Sequence, residues 1–298
     1  MITIKKTPES VLVFLAGFAC GVILAGAIVY GLIGPRRPAS RAAPPSDREL
    51  IAPYYQPADL YKQVKSASVS AKMRIPVIMY HYVEYVKDRN DLIRKNLDVT
   101  PDRFEKELNA LKAARFQTYF VKDIPDILNG SIQYEASRSA VLTFDDGYDD
   151  FYTVVFPLLK KYQVKATVYL IADFIGRPGF MNASQISQLV DSDLVEVGSH
   201  TLNHLYLKAV PPPIAEKEIV QSKKTLEQRF HITVKTFAYP YGAFNDAVEA
   251  MVKDASYSAA VSVMPGVLQA QSDRFHLYRI RPGRFSDKTI VSALEGMK

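Results

Sequence analysis

The chain has 298 residues, of which 48% are hydrophobic and 23% charged, a balance that suits a globular core and excludes wholesale disorder or collagen-like repeats. A single cysteine excludes an intramolecular disulfide framework and a zinc-ribbon site. The net charge is +6, but residues 1–48 supply six basic against two acidic side chains, so the near-neutral remainder gives little support to nucleic-acid binding.

An uncharged apolar run occupies residues 11–33, with the sequence VLVFLAGFACGVILAGAIVYGLI. A bilayer core of about 30 Å needs about 20 apolar helical residues, so this run is predicted to be a transmembrane anchor preceded by a short cytoplasmic N-terminus at residues 1–10. The alternative is a cleaved signal peptide, because Lys5 and Lys6 precede the run and Ala25-Gly26-Ala27 resembles a cleavage site. The continuation of apolar sequence to Ile33 favours the anchor.

Residues 34–72 are predicted to form a spacer, because six prolines fall between residues 34 and 57 among Ala, Ser and Arg. Such a stretch has little apolar surface to bury and is expected to be extended and semi-rigid. The folded domain is expected to occupy residues 73–298.

Short β-branched or aromatic runs alternate with helical patterns in this domain. Strands are predicted at Pro76–Tyr80, Gln117–Val121, Ala140–Phe144, Ala166–Ile171, Leu194–Gly198, Thr236–Tyr239, Ala259–Val263 and Leu277–Arg281. Helices are predicted after the Thr100-Pro101-Asp102 start and at Asp150–Tyr162, Ser184–Val190, Ile214–Phe230 and Asp246–Ala255. The alternation predicts an α/β fold with a parallel sheet closed into a barrel, whose chemistry lies where the strands end.

Two adjacent carboxylates follow the predicted strand at Ala140–Phe144, in the sequence TFDDGY. Asp145 and Asp146 would repel each other if both were simply buried. The pair makes sense if a cation neutralises one carboxylate while the other handles a proton. A plain Asp-Asp-Gly surface turn is the alternative, which the apolar strand before it disfavours.

Two histidines four residues apart, His200 and His204, follow the predicted strand at Leu194–Gly198 in the sequence HTLNH. This spacing places both on one face of a helical turn, from which they can reach one metal ion. A chance pair among five histidines is the competing interpretation. An Asp and two His would leave open positions for water and substrate, as catalytic metal sites do.

Two further strand ends carry weaker candidates. The sequence YPYG at residues 239–242 has the composition of a plain Pro/Gly loop, and His81 ends the first predicted strand. A lone histidine in such a place is more often structural than catalytic.

TFDDGY, HTLNH and YPYG, in this order and spacing, resemble the motifs of the metal-dependent polysaccharide deacetylases, the family with the NodB-homology domain (carbohydrate esterase family 4). The resemblance covers roughly residues 73–298, and the opening IPVIMYHYV and the closing LYRIRP fit it as well. It is closest to the membrane- or surface-attached branch that contains poly-N-acetylglucosamine deacetylases. It implies a distorted (β/α)7–8 barrel that removes N-acetyl, sometimes O-acetyl, groups from cell-envelope or secreted glycans.

The resemblance also implies roles for individual residues. Asp146, His200 and His204 match the metal ligands, Asp145 matches the general base, and Tyr241 matches the residue whose backbone N–H helps to hold the oxyanion. Zn²⁺ is the default metal, and Co²⁺ or Ni²⁺ are compatible with imidazole-rich sites.

The chain departs from the family pattern in three places. Ala238 stands where many members have an Arg that orients the catalytic Asp, no Trp is available to line an acetyl pocket, and the C-terminal Leu-x-His motif is replaced by a region containing His276. Arg279 or Arg281 is expected to take over from the missing Arg. The branch resembled places its general acid in the N-terminal motif, which favours His81 over His276.

The leading interpretation is therefore a membrane-anchored glycan N-deacetylase whose catalytic domain faces the cell surface or periplasm. This orientation follows from the family's substrates, because the charges flanking the apolar run are ambiguous. The alternatives are an O-acetyl polysaccharide esterase, a non-catalytic glycan-binding barrel, or a soluble barrel enzyme with another substrate. The presence of Asp145 and all three metal-ligand candidates disfavours the non-catalytic interpretation.

Overall fold

The computed structural model describes residues 72–88, 90–282 and 290–297. The strands are β1 Met73–Arg74, β2 Val77–Tyr80, β3 Gln117–Tyr119, β4 Ser139–Phe144, β5 Ala166–Leu170, β6 Val195–Ser199, β7 Thr236–Ala238, β8 Ala259–Pro265, β9 Leu268–Gln269 and β10 Leu277–Arg279. The α-helices are α1 Leu92–Leu97, α2 Pro101–Ala113, α3 Ile124–Leu128, α4 Phe156–Tyr162, α5 Ala183–Val190, α6 Pro212–Phe230, α7 Asp246–Asp254 and α8 Ile290–Gly296. Short 3₁₀ turns lie at Val121–Asp123, Ala172–Phe174, Pro240–Gly242 and Gln271–Asp273, and a π-helical turn at Phe151–Val155.

Parallel strands form a nearly closed barrel in the order β10-β8-β7-β6-β5-β4-β2, with β3 pairing to the first half of β4. A single bridge between Ile78 and Ile280 joins the two ends of this order. The Met79 N–H donates to the Ile280 carbonyl at 2.9 Å, and the Ile280 N–H donates to the Val77 carbonyl at 2.8 Å. The α/β fold and the parallel barrel predicted from the sequence are confirmed.

The period-two alternation of the strands separates two apolar layers. One buried cluster fills the barrel and includes Val77, Val141, Ala238, Val261 and Leu277, which come from five different strands. A larger buried cluster occupies the alternate positions and packs against the helices. Because both faces of the strands are buried, side chains with chemistry can reach solvent only at the strand ends.

Several element boundaries differ from those predicted from the sequence. The helix predicted at Asp150–Tyr162 begins with a π-helical turn, in which the Phe156 N–H donates to the Phe151 carbonyl. Pro157 follows and has no N–H to offer the carbonyl four residues earlier, which disrupts the α-helical ladder there. The short elements β1, β9, α1, α3 and α8 were not predicted, because each is too short to show a clear period.

The predicted anchor at residues 11–33 and the spacer at 34–72, apart from Lys72, lie outside the described residues. Within the described ranges, none of the helices combines the length and apolar character required to cross a bilayer.

Candidate active site

The turn after β4 places two carboxylates at the end of the barrel where the parallel strands finish. Asp146 and Gly147 have positive φ angles of 76° and 79°, a conformation that Asp tolerates and Gly adopts freely. A Cβ atom on Gly147 would lie 2.7 Å from Leu170 Cδ2, so a side chain at this position would require the Leu170 side chain to move. The turn leaves Asp145 and Asp146 side by side and only 3% and 7% exposed.

A buried guanidinium holds Asp145. Arg279, at the end of β10, donates from Nη1 and Nη2 to the two carboxylate oxygens, each at 2.7 Å. Its Nη1 also donates to Thr143 Oγ1 at 3.1 Å, and its Nε donates to the Ser262 carbonyl at 2.7 Å. Burial alone would raise the pKa of Asp145, but Arg279 lowers it below its usual value, so the carboxylate is ionised at neutral pH.

Asp146, His200 and His204 each bring one ligand atom to the same place, and these atoms all lie within 4.8 Å of one another. Asp146 Oδ1 is 3.4 Å from His200 Nε2 and 3.3 Å from His204 Nε2. Among the described residues, no hydrogen-bond partner satisfies this buried oxygen. One carboxylate oxygen and two imidazole nitrogens form a donor set that suits a divalent transition-metal ion.

Residues 200–204 form an irregular loop after β6, so the helical turn predicted from the four-residue spacing is wrong. Thr201 and His204 have positive φ angles of 67° and 60°, and Thr201 Oγ1 accepts from the His204 N–H at 2.9 Å. Glu218 of α6 is 4% exposed and accepts from the backbone N–H and the side-chain amide of Asn203, at 2.8 and 3.0 Å. Side-chain hydrogen bonds therefore shape the loop, and both imidazoles still reach the same carboxylate.

Hydrogen bonding and burial set the protonation of the two imidazoles. His200 Nδ1 lies 2.7 Å from the Ala238 carbonyl, which can only accept, so Nδ1–H donates and Nε2 faces Asp146. Burial lowers the pKa of His204 to about 4, which leaves its imidazole neutral at pH 7. Burial opposes the charge on His200 as well, but the neighbouring Asp146 carboxylate raises the pKa of His200 above its usual value.

Tyr241 lies in the 3₁₀ turn after β7, with a positive φ of 59°. Its hydroxyl is 3.1 Å from His204 Nδ1, and its ring centroid is 4.6 Å from the imidazole centroid. The sequence prediction concerned only the backbone N–H of Tyr241. The side chain adds a contact to one of the metal-ligand candidates.

The two candidates for the general acid lie in different surroundings. His81 follows β2, and its Nε2 is 3.8 Å from Asp145 Oδ2. Burial lowers the pKa of His81, although the nearby carboxylates act in the opposite direction. His276 Nδ1 lies instead 2.7 Å from Glu249 Oε2 on α7. The structure thus brings His81, and not His276, to the paired carboxylates.

Sequence reasoning missed two carboxylates that support the site. Glu218 could have been found, because it is an acidic residue on the buried stripe of α6 formed with Ala215, Ile219 and Ser222. No sequence pattern indicated a role for Asp150. In the structure it accepts a hydrogen bond from the N–H of Val83, which lies two residues after His81 in the segment that follows β2.

Comparisons of the sequence and of the structure with known proteins both find polysaccharide deacetylases. Residues 133–260 match the sequence profile of the family described as polysaccharide deacetylase. The chain is 28% identical over 227 residues, 76% of its length and 77% of the relative's, to the inferred polysaccharide deacetylase YxkH of Bacillus subtilis. It is 26% identical over 245 residues, 73% of its length and 82% of the relative's, to the poly-β-1,6-N-acetyl-D-glucosamine N-deacetylase of Staphylococcus epidermidis.

A solved structure shares the fold as well. The deacetylase PplD of Streptococcus pyogenes, determined in complex with acetate, superposes with a TM-score of 0.63 at 28% identity, over 72% of this chain and 93% of that chain. Residues 133–260 therefore match a polysaccharide deacetylase domain, and the chain is similar in sequence and in fold to proteins named as polysaccharide deacetylases.

Proposed function

We propose that this protein hydrolyses N-acetyl groups of an N-acetylated glycan with the help of a divalent metal ion. The observation that carries the proposal is the meeting, at one end of the barrel, of the Asp146–His200–His204 cluster and the Asp145–Arg279 ion pair. A relative named as an N-deacetylase of poly-β-1,6-N-acetyl-D-glucosamine supports an amide substrate.

The cluster fits a resident metal ion. His200 directs Nε2 towards Asp146 Oδ1, a buried oxygen that a cation would satisfy. We propose Zn²⁺ as this ion, with Co²⁺ or Ni²⁺ as compatible substitutes. When bound, the ion supplies Lewis acidity that polarises the acetyl carbonyl and makes water easier to deprotonate.

The residues around the cluster supply the proton transfers. Asp145, ionised and held at two points by Arg279, takes a proton from the water that attacks the carbonyl carbon. The backbone N–H of Tyr241 donates to the developing oxyanion. His81, in its imidazolium form, gives a proton to the nitrogen as the carbon–nitrogen bond breaks and becomes neutral, so the products are acetate and a free amine.

The cellular location is also a proposal, motivated by the apolar run at residues 11–33 and by the glycan substrate. We propose a single-pass protein whose N-terminus is cytoplasmic and whose barrel faces the cell surface or periplasm. A reporter that is active only outside the cytoplasm, fused after Lys298, is expected to be active. Activity of a cytoplasm-specific reporter at that position would contradict this topology.

The test of the function is acetate release by the fragment 73–298 from a panel of partially N-acetylated and O-acetylated glycans. The fragment is stripped with chelator and reloaded with Zn²⁺, Co²⁺ or Ni²⁺. We expect metal-dependent acetate release from N-acetylated members. Release from O-acetylated members alone would indicate an esterase, and metal binding without any release would indicate a glycan-binding protein.

A further inference from the structure

The two histidines of the metal cluster each have a second ring nitrogen with a partner of its own. Nε2 of His200 and Nε2 of His204 lie 3.4 and 3.3 Å from Asp146 Oδ1, so these are the nitrogens that face the cluster. A neutral imidazole that binds a metal through Nε2 carries its proton on Nδ1. The group that accepts this proton fixes both the tautomer and the orientation of the ring.

Both Nδ1 partners come from one segment, which consists of the end of β7 and the 3₁₀ turn after it. The Ala238 carbonyl lies 2.7 Å from His200 Nδ1, and the Tyr241 hydroxyl lies 3.1 Å from His204 Nδ1. A backbone carbonyl is present whatever residue occupies position 238, but the hydroxyl depends on the side chain at position 241. A single side chain therefore controls this contact of His204.

The turn that carries Tyr241 is held by contacts of its backbone. The Gly242 N–H donates to the Tyr239 carbonyl at 2.8 Å. A Cβ atom on Gly242, whose φ is 67°, would lie 2.8 Å from the backbone nitrogen of Val263, so the turn packs directly against β8. These contacts do not involve the hydroxyl of Tyr241.

The ring of Tyr241 makes contacts that are separate from the hydrogen bond. Its centroid lies 4.6 Å from the imidazole centroid of His204 and 6.0 Å from the ring centroid of Tyr206. A phenylalanine ring can make the same contacts, but it has no lone pair to accept the Nδ1 proton. The effect of the hydroxyl can therefore be separated from the effect of the ring.

We propose that the Tyr241 hydroxyl positions the metal ligand His204: it accepts the Nδ1 proton and so keeps the lone pair of Nε2 directed towards the cluster. The inference rests on the proposed metal-dependent function and adds to it, because that function uses only the backbone N–H of Tyr241. One residue then serves the oxyanion through its backbone and a metal ligand through its side chain.

The test replaces Tyr241 with phenylalanine in the full chain, purified in detergent. Tyr241→Phe keeps the ring and the backbone N–H but leaves His204 Nδ1 without this acceptor. We expect the affinity for Zn²⁺, measured by competition with a chromophoric chelator, to fall by about tenfold, since loss of an outer hydrogen bond to a metal ligand typically costs about 10- to 100-fold. The matched control is Tyr152→Phe, which removes a hydroxyl that donates to Gln188 Oε1 at 2.8 Å and should leave the affinity unchanged.

Two further measurements distinguish positioning from a purely structural role. With chelator present, the urea midpoint of Tyr241→Phe should fall no further than that of Tyr152→Phe. The loss of acetate release in Tyr241→Phe should be largest at limiting Zn²⁺ and should shrink as Zn²⁺ is raised, because excess metal compensates for weaker binding. Unchanged Zn²⁺ affinity, an equal fall of affinity in the control, or a larger fall of the urea midpoint than in the control would overturn the inference.

The inference and the proposed function can fail separately. If Tyr241→Phe binds Zn²⁺ more weakly but the natural protein releases no acetate from any glycan, the proposed reaction is wrong and the positioning role holds. If the natural protein releases acetate and Tyr241→Phe binds Zn²⁺ equally tightly, the inference alone is wrong. Absence of Zn²⁺ binding by the natural protein would overturn both.

Discussion

At the scale of single residues, two neighbouring carboxylates have different partners. Asp145 contacts a permanent cation through both oxygens, whereas Asp146 faces two imidazoles. These different surroundings give two consecutive residues different roles: Asp145 is the general base and Asp146 is a metal ligand. Mutation can test this division directly.

We predict that His200→Ala and His204→Ala lose both metal and activity, because each removes one of three ligands. Metal affinity should fall by more than about 100-fold, the upper limit of what losing an outer hydrogen bond costs. Asp145→Asn should retain the metal and lose turnover by about 10²- to 10⁴-fold. Elemental analysis and acetate release measure the two effects, and equal metal loss in Asp145→Asn would mean that the two Asp roles are assigned wrongly.

The general acid gives a second residue-scale prediction. An amide nitrogen must gain a proton as it leaves, whereas an activated aryl acetate expels a stable phenolate. His81→Ala should therefore keep its metal, lose about 10²- to 10⁴-fold on the amide substrate and retain measurable aryl esterase activity. His276→Ala is the comparison, and its effect should be milder on both substrates. An amide-selective defect in His276→Ala, together with nearly normal activity of His81→Ala, would mean that His276 is the general acid.

Asp150 predicts a pH dependence of stability. Burial raises the pKa of Asp150 to about 6, although the Val83 N–H hydrogen bond opposes the shift. Because the folded pKa lies above the unfolded one, the free energy of unfolding falls as the pH rises from about 4 through about 6, by at most about 3 kcal/mol. Asp150→Asn keeps an oxygen for Val83 and should flatten this fall.

Urea unfolding of both proteins at several pH values, with chelator present so that metal binding does not contribute, measures this effect. The variant should gain stability relative to the natural protein above pH 6. Identical pH profiles would show that Asp150 is not protonated more easily in the folded state.

At the scale of elements, the loop after β6 depends on helix α6. Glu218 accepts two hydrogen bonds from Asn203, which lies between the two histidines of the metal cluster. The helix thus fixes a loop that has no regular backbone pattern of its own. This dependence makes Glu218 a positioning residue.

We predict that Glu218→Ala lowers metal affinity by about 10- to 100-fold, as the loss of outer hydrogen bonds to a metal site typically does. Glu218→Gln can still accept one of the two bonds and should recover part of this loss. Glu216→Gln, an exposed position on the same helix, is the matched control. Unchanged metal affinity in Glu218→Ala, measured by competition with a chromophoric chelator, would contradict the role.

The same elements show how far sequence alone could go. The strands, the barrel and the convergence of TFDDGY with HTLNH follow from local periodicity and from the rule that parallel strands end on one side. The loop geometry at residues 200–204 does not follow, because a four-residue spacing is equally compatible with a helix and with a loop closed by side chains. The choice of Arg279 over Arg281 depends on long-range register, since β10 pairs with β8 through an irregularity between Leu277 and Arg279.

At the scale of the whole molecule, the start of the folded domain can be tested. Arg74 of β1 donates to the carbonyls of Ala136, Leu294 and Met297, and Ile75 is fully buried. The fragment 73–298 should therefore fold alone. A fragment that begins at Val77 should lose at least about 2 kcal/mol of stability, since it removes a buried Ile and these contacts.

Circular dichroism and urea unfolding of the two fragments provide the comparison, with Arg74→Ala in the longer fragment to separate the hydrogen bonds from the burial of Ile75. If the 73–298 fragment is unfolded while the full chain is active in detergent, the predicted domain boundary is wrong.

The ion pair between Asp145 and Arg279 joins residues that are 134 positions apart in the sequence. Because synthesis runs from the N-terminus, a ribosome makes the carboxylate of Asp145 long before the guanidinium of Arg279. Until β10 arrives, the barrel has no seam at Ile280 and Asp145 has no cation, so burying its charge is unfavourable. Strand β10 therefore closes the barrel and also positions Asp145 as the general base. Nascent chains or truncated proteins that stop before Arg279 lack a positioned general base.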